Sequence, residues 1–183
     1  MLIPERENEP ETRAALPKWL RGLRWGLDIA AAGLVALAMA VLVLVFGLMN
    51  VEIVSRTLFG VSTLVADEYG GYGFAVLIMA GLTYAHRSGA LLHVDFGRRL
   101  MGARTRAVSL ALASALSFGV ACFAAYVGYK TWALSLLFGS TSAFSSNTPL
   151  WLPQAAVPAG FAILALSFAE EFLSRALIAA RGA

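Results

Sequence analysis

The sequence predicts an all-α integral membrane protein with four transmembrane helices, both termini in the cytoplasm, and an N-terminal amphipathic interfacial helix. Three observations predict it. Hydrophobic residues make up 59% of the 183-residue chain and charged residues only 14%, against roughly 25% charged in an ordinary soluble domain. Mean hydropathy is +0.74. The uncharged residues fall in runs of bilayer length, and the basic residues sit between them on alternate sides. This composition excludes a disordered chain and a nucleic-acid-binding domain, although the net charge is +3 and the pI about 9.4. It also leaves too little polar surface to cover a soluble globule.

The runs set the elements. Ile29–Val51 and Ala107–Tyr129 each carry 23 uncharged residues, Tyr69–Ala85 carries 17, and Thr131–Ala169 carries 39 with polar turn signals at Gly139–Pro149. A hydrocarbon core of about 30 Å takes about 20 apolar residues as a helix. Lipid offers the backbone no hydrogen-bond partner, so spanning segments close their own bonds as helices. The predicted spans are therefore about 27–50, 64–86, 107–137 and 150–173. The third exceeds a simple span and is expected to tilt or to project near Lys130. The first run is not read as a cleavable signal peptide, because its polar leader and its apolar core are both too long.

Basic residues set the orientation. Arg6, Arg13, Lys18, Arg21 and Arg24 precede span one, and Arg87, Arg98, Arg99, Arg104 and Arg106 lie between spans two and three. Arg175 and Arg181 follow span four, whereas the first outer loop holds only Arg56 and Gly139–Pro149 holds none. The positive-inside rule places the termini and the middle loop in the cytoplasm. Residues 1–26 are a cytoplasmic tail, 27–175 the membrane domain, and 176–183 a second tail. Within the first tail, Leu16, Trp19, Leu20, Leu23 and Leu27 share a helical stripe away from Lys18, Arg21 and Arg24. That pattern predicts a helix lying on the inner membrane surface. The simpler alternative extends span one into the cytoplasm.

Ionisable groups sit at the ends of the spans, not at their centres, where a charge costs at least about 2.5–3.5 kcal/mol. Asp28 lies one turn from Arg24 at the inner mouth of span one. Glu52 and Arg56 have the i,i+4 spacing of a helical ion pair; they form a local bridge or a docking contact for a partner. Asp67 and Glu68 open span two, where acids suit the helix dipole, within reach of Arg56. Arg56, Asp67 and Glu68 are thus expected to form an outer polar cluster that braces a hairpin or meets a partner. Lys130, with Tyr126, Tyr129 and Trp132, reads as an interfacial belt. Glu170 and Glu171 lie about a turn from Arg175. Asp95, with Arg98 and Arg99, is expected to organise the inner loop, or the arginines meet membrane lipid.

Nothing points to catalysis, and no cofactor is expected. Cys122 is the only cysteine, which excludes an internal disulfide and a cysteine-built metal site. His86 and His93 stand at one end of one span, not on facing helices as haem ligands would. Nucleophile, zinc-protease and nucleotide-binding motifs are missing. Ala32, Ala36 and Ala40 line one face of span one, and Ala111, Ala115 and Gly119 one face of span three; such stripes permit close helix approach. Pro149 and Pro153 mark the entry to span four, and Pro158 is expected to kink it.

Four short elements in this order resemble a known family. Arg56-Thr57-Leu58-Phe59-Gly60 resembles an arginine–aromatic–glycine signature after helix one. Asp67-Glu68 resembles an acidic pair opening helix two. Leu92-His93-Val94-Asp95 resembles a His-Ile-x-Val-Asp element, and Val157-Pro158-Ala159-Gly160-Phe161 resembles Ile-Pro-x-Gly-Phe. Together, from about Asp28 to Arg175, they resemble the DctQ-like small membrane subunit of tripartite ATP-independent periplasmic (TRAP) transporters. The chain departs from the pattern at Val65, where the family often has Trp, and at Leu91, where it has His.

The resemblance implies a non-enzymatic scaffold subunit in a bacterial inner membrane. It implies two protein partners: a DctM-like large membrane subunit that carries substrate and coupling sodium, and a DctP-like periplasmic substrate-binding protein that delivers a solute, often an organic acid. Arg56, Asp67, Glu68, Asp95, Glu52, Pro158 and Gly160 are the candidate contact residues. The alternative is a redox membrane anchor that binds haem or quinone, which needs histidines at membrane depth. An autonomous small exporter needs an acid inside a span, and Ile29–Val51 has none.

Overall fold

The computed structural model describes residues 17–62, 64–90, 103–144 and 146–181. Asp95, His93 and the Leu92–Asp95 element lie outside them, as do residues 1–16. Among the described residues the elements are helices: α1 Lys18–Phe59, α2 Ala66–Ser88, α3 Ala103–Leu137, α4 Trp151–Gln154 and α5 Ala156–Arg181. Three of these segments are long and apolar enough to cross a membrane: Lys18–Phe59, Val108–Leu137 and Trp151–Leu177. The remaining expected span, α2, is 23 residues long but less apolar, because glycines and tyrosines interrupt it (Tyr69, Gly70, Gly71, Tyr72, Gly73).

The expected N-terminal interfacial helix is not a separate element. Residues 18–27 run without a break into the first span, and α1 is one helix of 42 residues, about 63 Å at 1.5 Å per residue. No proline or polar turn divides it, and Gly26 is tolerated within it. Its start is set by Pro17, whose carbonyl accepts from the Leu20 and Arg21 amides at 3.1 Å each. Its end is set by Gly60, at φ 68°, whose amide bonds back to the Arg56 carbonyl. Gly89, at φ 70°, ends α2 the same way. A left-handed residue at this position is cheap only without a Cβ.

Pro158 acts earlier than expected. It lies in the first turn of α5, and the helical run is interrupted at Ala155, between α4 and α5. Having no N–H, Pro158 cannot bond the Gln154 carbonyl, which is the position an α-helix would demand. Pro153 falls within the first turn of α4, where the amide has no intrahelical partner in any case.

The helices pack as an open row in the order α1, α2, α5, α3, with α4 bridging toward α2 and α3 at one end. The seams repeat every seven residues and use small side chains, as closely approaching membrane helices do. On α1 the buried stripe holds Ala31, Ala38 and Glu52; on α2 it holds Ala66, Gly73 and Ala80. On α3 it holds Ser114, Ala121 and Ser135, joined by Gly128 against Pro158. A Cβ at Gly73 would come within 2.5 Å of Val45 Cγ2, so α1 and α2 approach at a distance only glycine allows. The expected alanine stripe of α1 is not a seam within the chain: Ala32, Ala36 and Ala40 are exposed, as is Gly119. Hydroxyls buried in the seams bond the carbonyl four residues back, Thr83 to Met79 and Ser167 to Ile163 at 3.0 Å each, so they bring no unpaired donor into the layer.

Candidate functional site

Polar chemistry gathers at the two ends of the long helices, and the middle of the layer holds close backbone contacts. The first end holds two separate networks. Arg56 Nε donates to Glu52 Oε1 at 2.6 Å, Ser62 Oγ donates to the same oxygen at 2.6 Å, and Arg56 Nη2 reaches Ser62 Oγ at 3.0 Å. The expected helical pair therefore forms, with its carboxylate buried and its guanidinium about half exposed.

Glu68 belongs to the second network. Tyr72 donates to its Oε1 at 2.7 Å and Ser146 to its Oε2 at 2.6 Å. Thr148 shares a 2.7 Å bond with Ser146 and a 3.0 Å bond with Tyr69. The segment between α3 and α4 folds back on itself through the Thr141–Pro149 bridge and the Ser142 amide on the Thr148 carbonyl at 2.9 Å. The buried carboxylate of Glu68 thus clamps this loop to the start of α2. The expected cluster of Arg56, Asp67 and Glu68 is not assembled: Glu68 turns toward the loop, and Asp67, its neighbour, is exposed. Successive helical residues point about 100° apart, so both acids of the pair cannot face Arg56.

The other end is organised by Arg87, which the sequence offered only as one of the basic residues after span two. Its side chain is 8% exposed. Nε donates to Asp28 Oδ1 on α1 at 2.9 Å, Nη1 to Glu170 Oε2 on α5 at 2.9 Å, and Nη2 to the Arg24 carbonyl at 3.0 Å. Ser174 completes Glu170 at 2.9 Å. One guanidinium therefore ties three helices, with geometry suited to a fork of fixed donors. Asp28, expected beside Arg24, reaches across to α2. Glu171 is the acid that pairs with Arg175, at 3.0 Å from its Nε. Position on the chain could have suggested this cluster: Asp28, Arg87 and Glu170 all stand at the same end of their spans.

His86 sits 3.5 Å from Glu171 Oε2, and its ring lies 4.2 Å from that of Phe168, tilted by 49°. It is engaged by α5, through Glu171 and Phe168. Among the described residues no group of three or more His, Cys, Asp or Glu comes together to hold a metal ion.

In the middle of the row, Pro158 and Gly160 serve opposite neighbours. A Cβ on Gly128 of α3 would lie 3.3 Å from Pro158 N, and a Cβ on Gly160 would lie 2.6 Å from Met79 Cβ of α2. The Pro-x-Gly element is therefore the place where α5 touches the helix on each side. These contacts hold helices together at their ends and seams and leave their broad faces apolar, an arrangement that can position a partner.

Comparison with known families agrees with the motif reading. A family model described as "Tripartite ATP-independent periplasmic transporters, DctQ component" matches residues 45–177. That range contains all four sequence elements and most of the chain, though not the first part of α1. No curated protein and no solved structure matches the chain. The chain belongs to the DctQ component family of tripartite ATP-independent periplasmic transporters, and is a membrane component of such a transporter.

Proposed function

We propose that this subunit is a static brace for the large, sodium-coupled membrane subunit, in a system that takes up an organic acid or similar solute from a periplasmic binding protein. The observation that carries the reading is the open row. At most 22% of the apolar window of any of the three spanning segments is buried within the chain, so the broad faces must be covered by lipid or by another protein. Arg87 is paired across three helices, and Arg56 and Arg175 are paired along their own. Such a slab resists tilting without a site of its own to move.

In this reading the four long helices, α1, α2, α3 and α5, cross the bacterial inner membrane and both termini are cytoplasmic. The lower hydropathy of α2 is no obstacle, because α1 and α5 flank it and Gly73, Ala80 and Thr83 are buried within the layer. The Arg87 end is cytoplasmic, beside the basic loop, and the Glu68 clamp faces the periplasm.

Affinity purification of the tagged chain from its native membrane tests the assembly. The reading predicts that a large membrane protein co-purifies in equal amount. Recovery of the chain without any membrane partner would contradict it.

A further inference from the structure

Close contacts fix the stagger of the helices. Arg87 of α2 pairs with Glu170 of α5. Further along the layer, Met79 of α2 lies against Gly160, and Pro158 lies against Gly128 of α3. From Arg87 to Glu68, the polar groups at the two ends of α2, the rise is about 29 Å at 1.5 Å per residue, one hydrocarbon thickness. Lys130 stands just beyond Gly128 and about 200° round the helix from it, so it faces away from α5. Through the same contacts its Cα lies about 18 Å above Arg87, and so about 10 Å below Glu68. α3 runs on to Leu137 before its loop reaches Glu68. With the bilayer placed between the Arg87 and Glu68 levels, Lys130 sits in the hydrocarbon of the outer leaflet, deeper than the interfacial belt its aromatic neighbours suggest. It is exposed. Among the described residues its ammonium meets no carboxylate; it lies over the Tyr126 ring, 5.3 Å from the centroid.

We propose that this face of α3 docks on the large membrane subunit, and that a carboxylate on a spanning helix of that subunit pairs with the Lys130 ammonium. The inference rests on the bracing reading and names the edge of the row that meets the partner. α3 is one end of the row and packs on α5 and α4, so its far side is uncovered. Phe123, Tyr126, Leu134 and Leu137 share that side with Lys130 and are exposed. A charge at this depth is costly in lipid, and ionisable groups inside spans pair with protein groups. A headgroup phosphate of the outer leaflet is poorly placed to supply the negative charge. A helical Cα–Cβ bond leans toward the helix N-terminus, which in α3 is the Arg104 end, and the ammonium accordingly lies over Tyr126, one turn further from the headgroups. A second copy of this chain has no acid to offer at that depth, because Asp28, Glu52, Asp67, Glu68, Glu170 and Glu171 stand at the ends of their helices. α1, the other end of the row, carries no charge between Asp28 and Glu52.

The test uses the tagged full chain in its native membrane. A membrane-permeable carbodiimide, which joins an amine to a carboxylate lying against it, should link Lys130 to an Asp or Glu in a spanning helix of the co-purifying large membrane protein, with the bond located by mass spectrometry. Lys130→Glu should lower recovery of that protein at least about tenfold, as like charges set against each other across an interface do, while Lys130→Arg should keep it. Lys130→Met should lower recovery less and leave the melting temperature of the isolated chain little changed, because the described residues give Lys130 no carboxylate to lose. Equal recovery with Lys130→Glu, or a photo-crosslinker at position 130 that labels phospholipid or a second copy of this chain in place of the large protein, would overturn the docking face and leave the bracing role standing. A parent chain recovered without any membrane partner would remove both.

Discussion

Arg87 and Glu170 meet as an ion pair of 2.9 Å between α2 and α5, with side chains only 8% and 5% exposed. The pair sits in a fork that also takes Asp28 from α1, so three of the four long helices meet at one side chain. Removing one partner of a buried pair strands the other charge and costs about 3–5 kcal/mol. Arg87→Met should therefore lower the melting temperature and folded yield sharply. Arg87→Met with Glu170→Met should recover most of the loss, because two apolar side chains strand no charge. A single variant as stable as the parent protein, measured by thermal unfolding in detergent, would show that the pair is not holding the helices.

The Glu68 clamp predicts a local effect. Glu68→Ala removes the acceptor of Ser146 and Tyr72 while leaving the ends of α3 and α4 in place. Hydrogen–deuterium exchange at Ser142 and Thr148 should quicken, with exchange in α1 unchanged. Equal protection in the two proteins would mean that the loop holds its own shape through its backbone bonds.

The contact of Gly160 with Met79 predicts overpacking. Gly160→Ala places a Cβ 2.6 Å from Met79 Cβ, an atom fixed by the α2 backbone. The cost should be about 1–3 kcal/mol, read as a lower melting temperature. Met79→Ala in the same chain should relieve part of it. A neutral Gly160→Ala would show that α2 and α5 can separate freely.

Arg56 offers a contrast with Arg87. Its side chain is 54% exposed, but that of its partner Glu52 is only 9% exposed, so reversing the charge strands a buried carboxylate and sets a second acid beside it. Arg56→Glu should lower the melting temperature, though less than Arg87→Met does, because water reaches the Arg56 side of the pair. On the bracing account it should also lower the yield of the complex, or its uptake, by presenting an acid to the partner. Unchanged yield and uptake would remove Arg56 from the contact residues.

The class of the fold was legible because bilayer physics acts on local sequence. Uncharged runs such as Ile29–Val51 need no knowledge of what packs against them. Lateral order was not legible. Nothing in the spacing of spans says that α2 lies next to α5 while α3 lies at the edge, so the alanine stripe of α1 pointed to the wrong face. Arg87 was hidden by its company: in a basic loop a positive charge looks like a topology signal, and only the convergence of Asp28 and Glu170 makes it the centre of a lock. Ser146 and Thr148 were hidden the same way, since hydroxyl-rich turns suit solvent. Pro158 and Gly160 were legible through their motif, and their separate tasks against Gly128 and Met79 emerged only from the packing. The N-terminal stripe gave a helix at the right place, but local periodicity cannot distinguish a helix that lies on a membrane from one that enters it.

The account stands most directly on solute uptake in liposomes holding the large membrane subunit and the binding protein, with and without this chain. It predicts that uptake driven by a sodium gradient falls severalfold when the chain is omitted and returns when it is restored. Equal rates in the two preparations would contradict it.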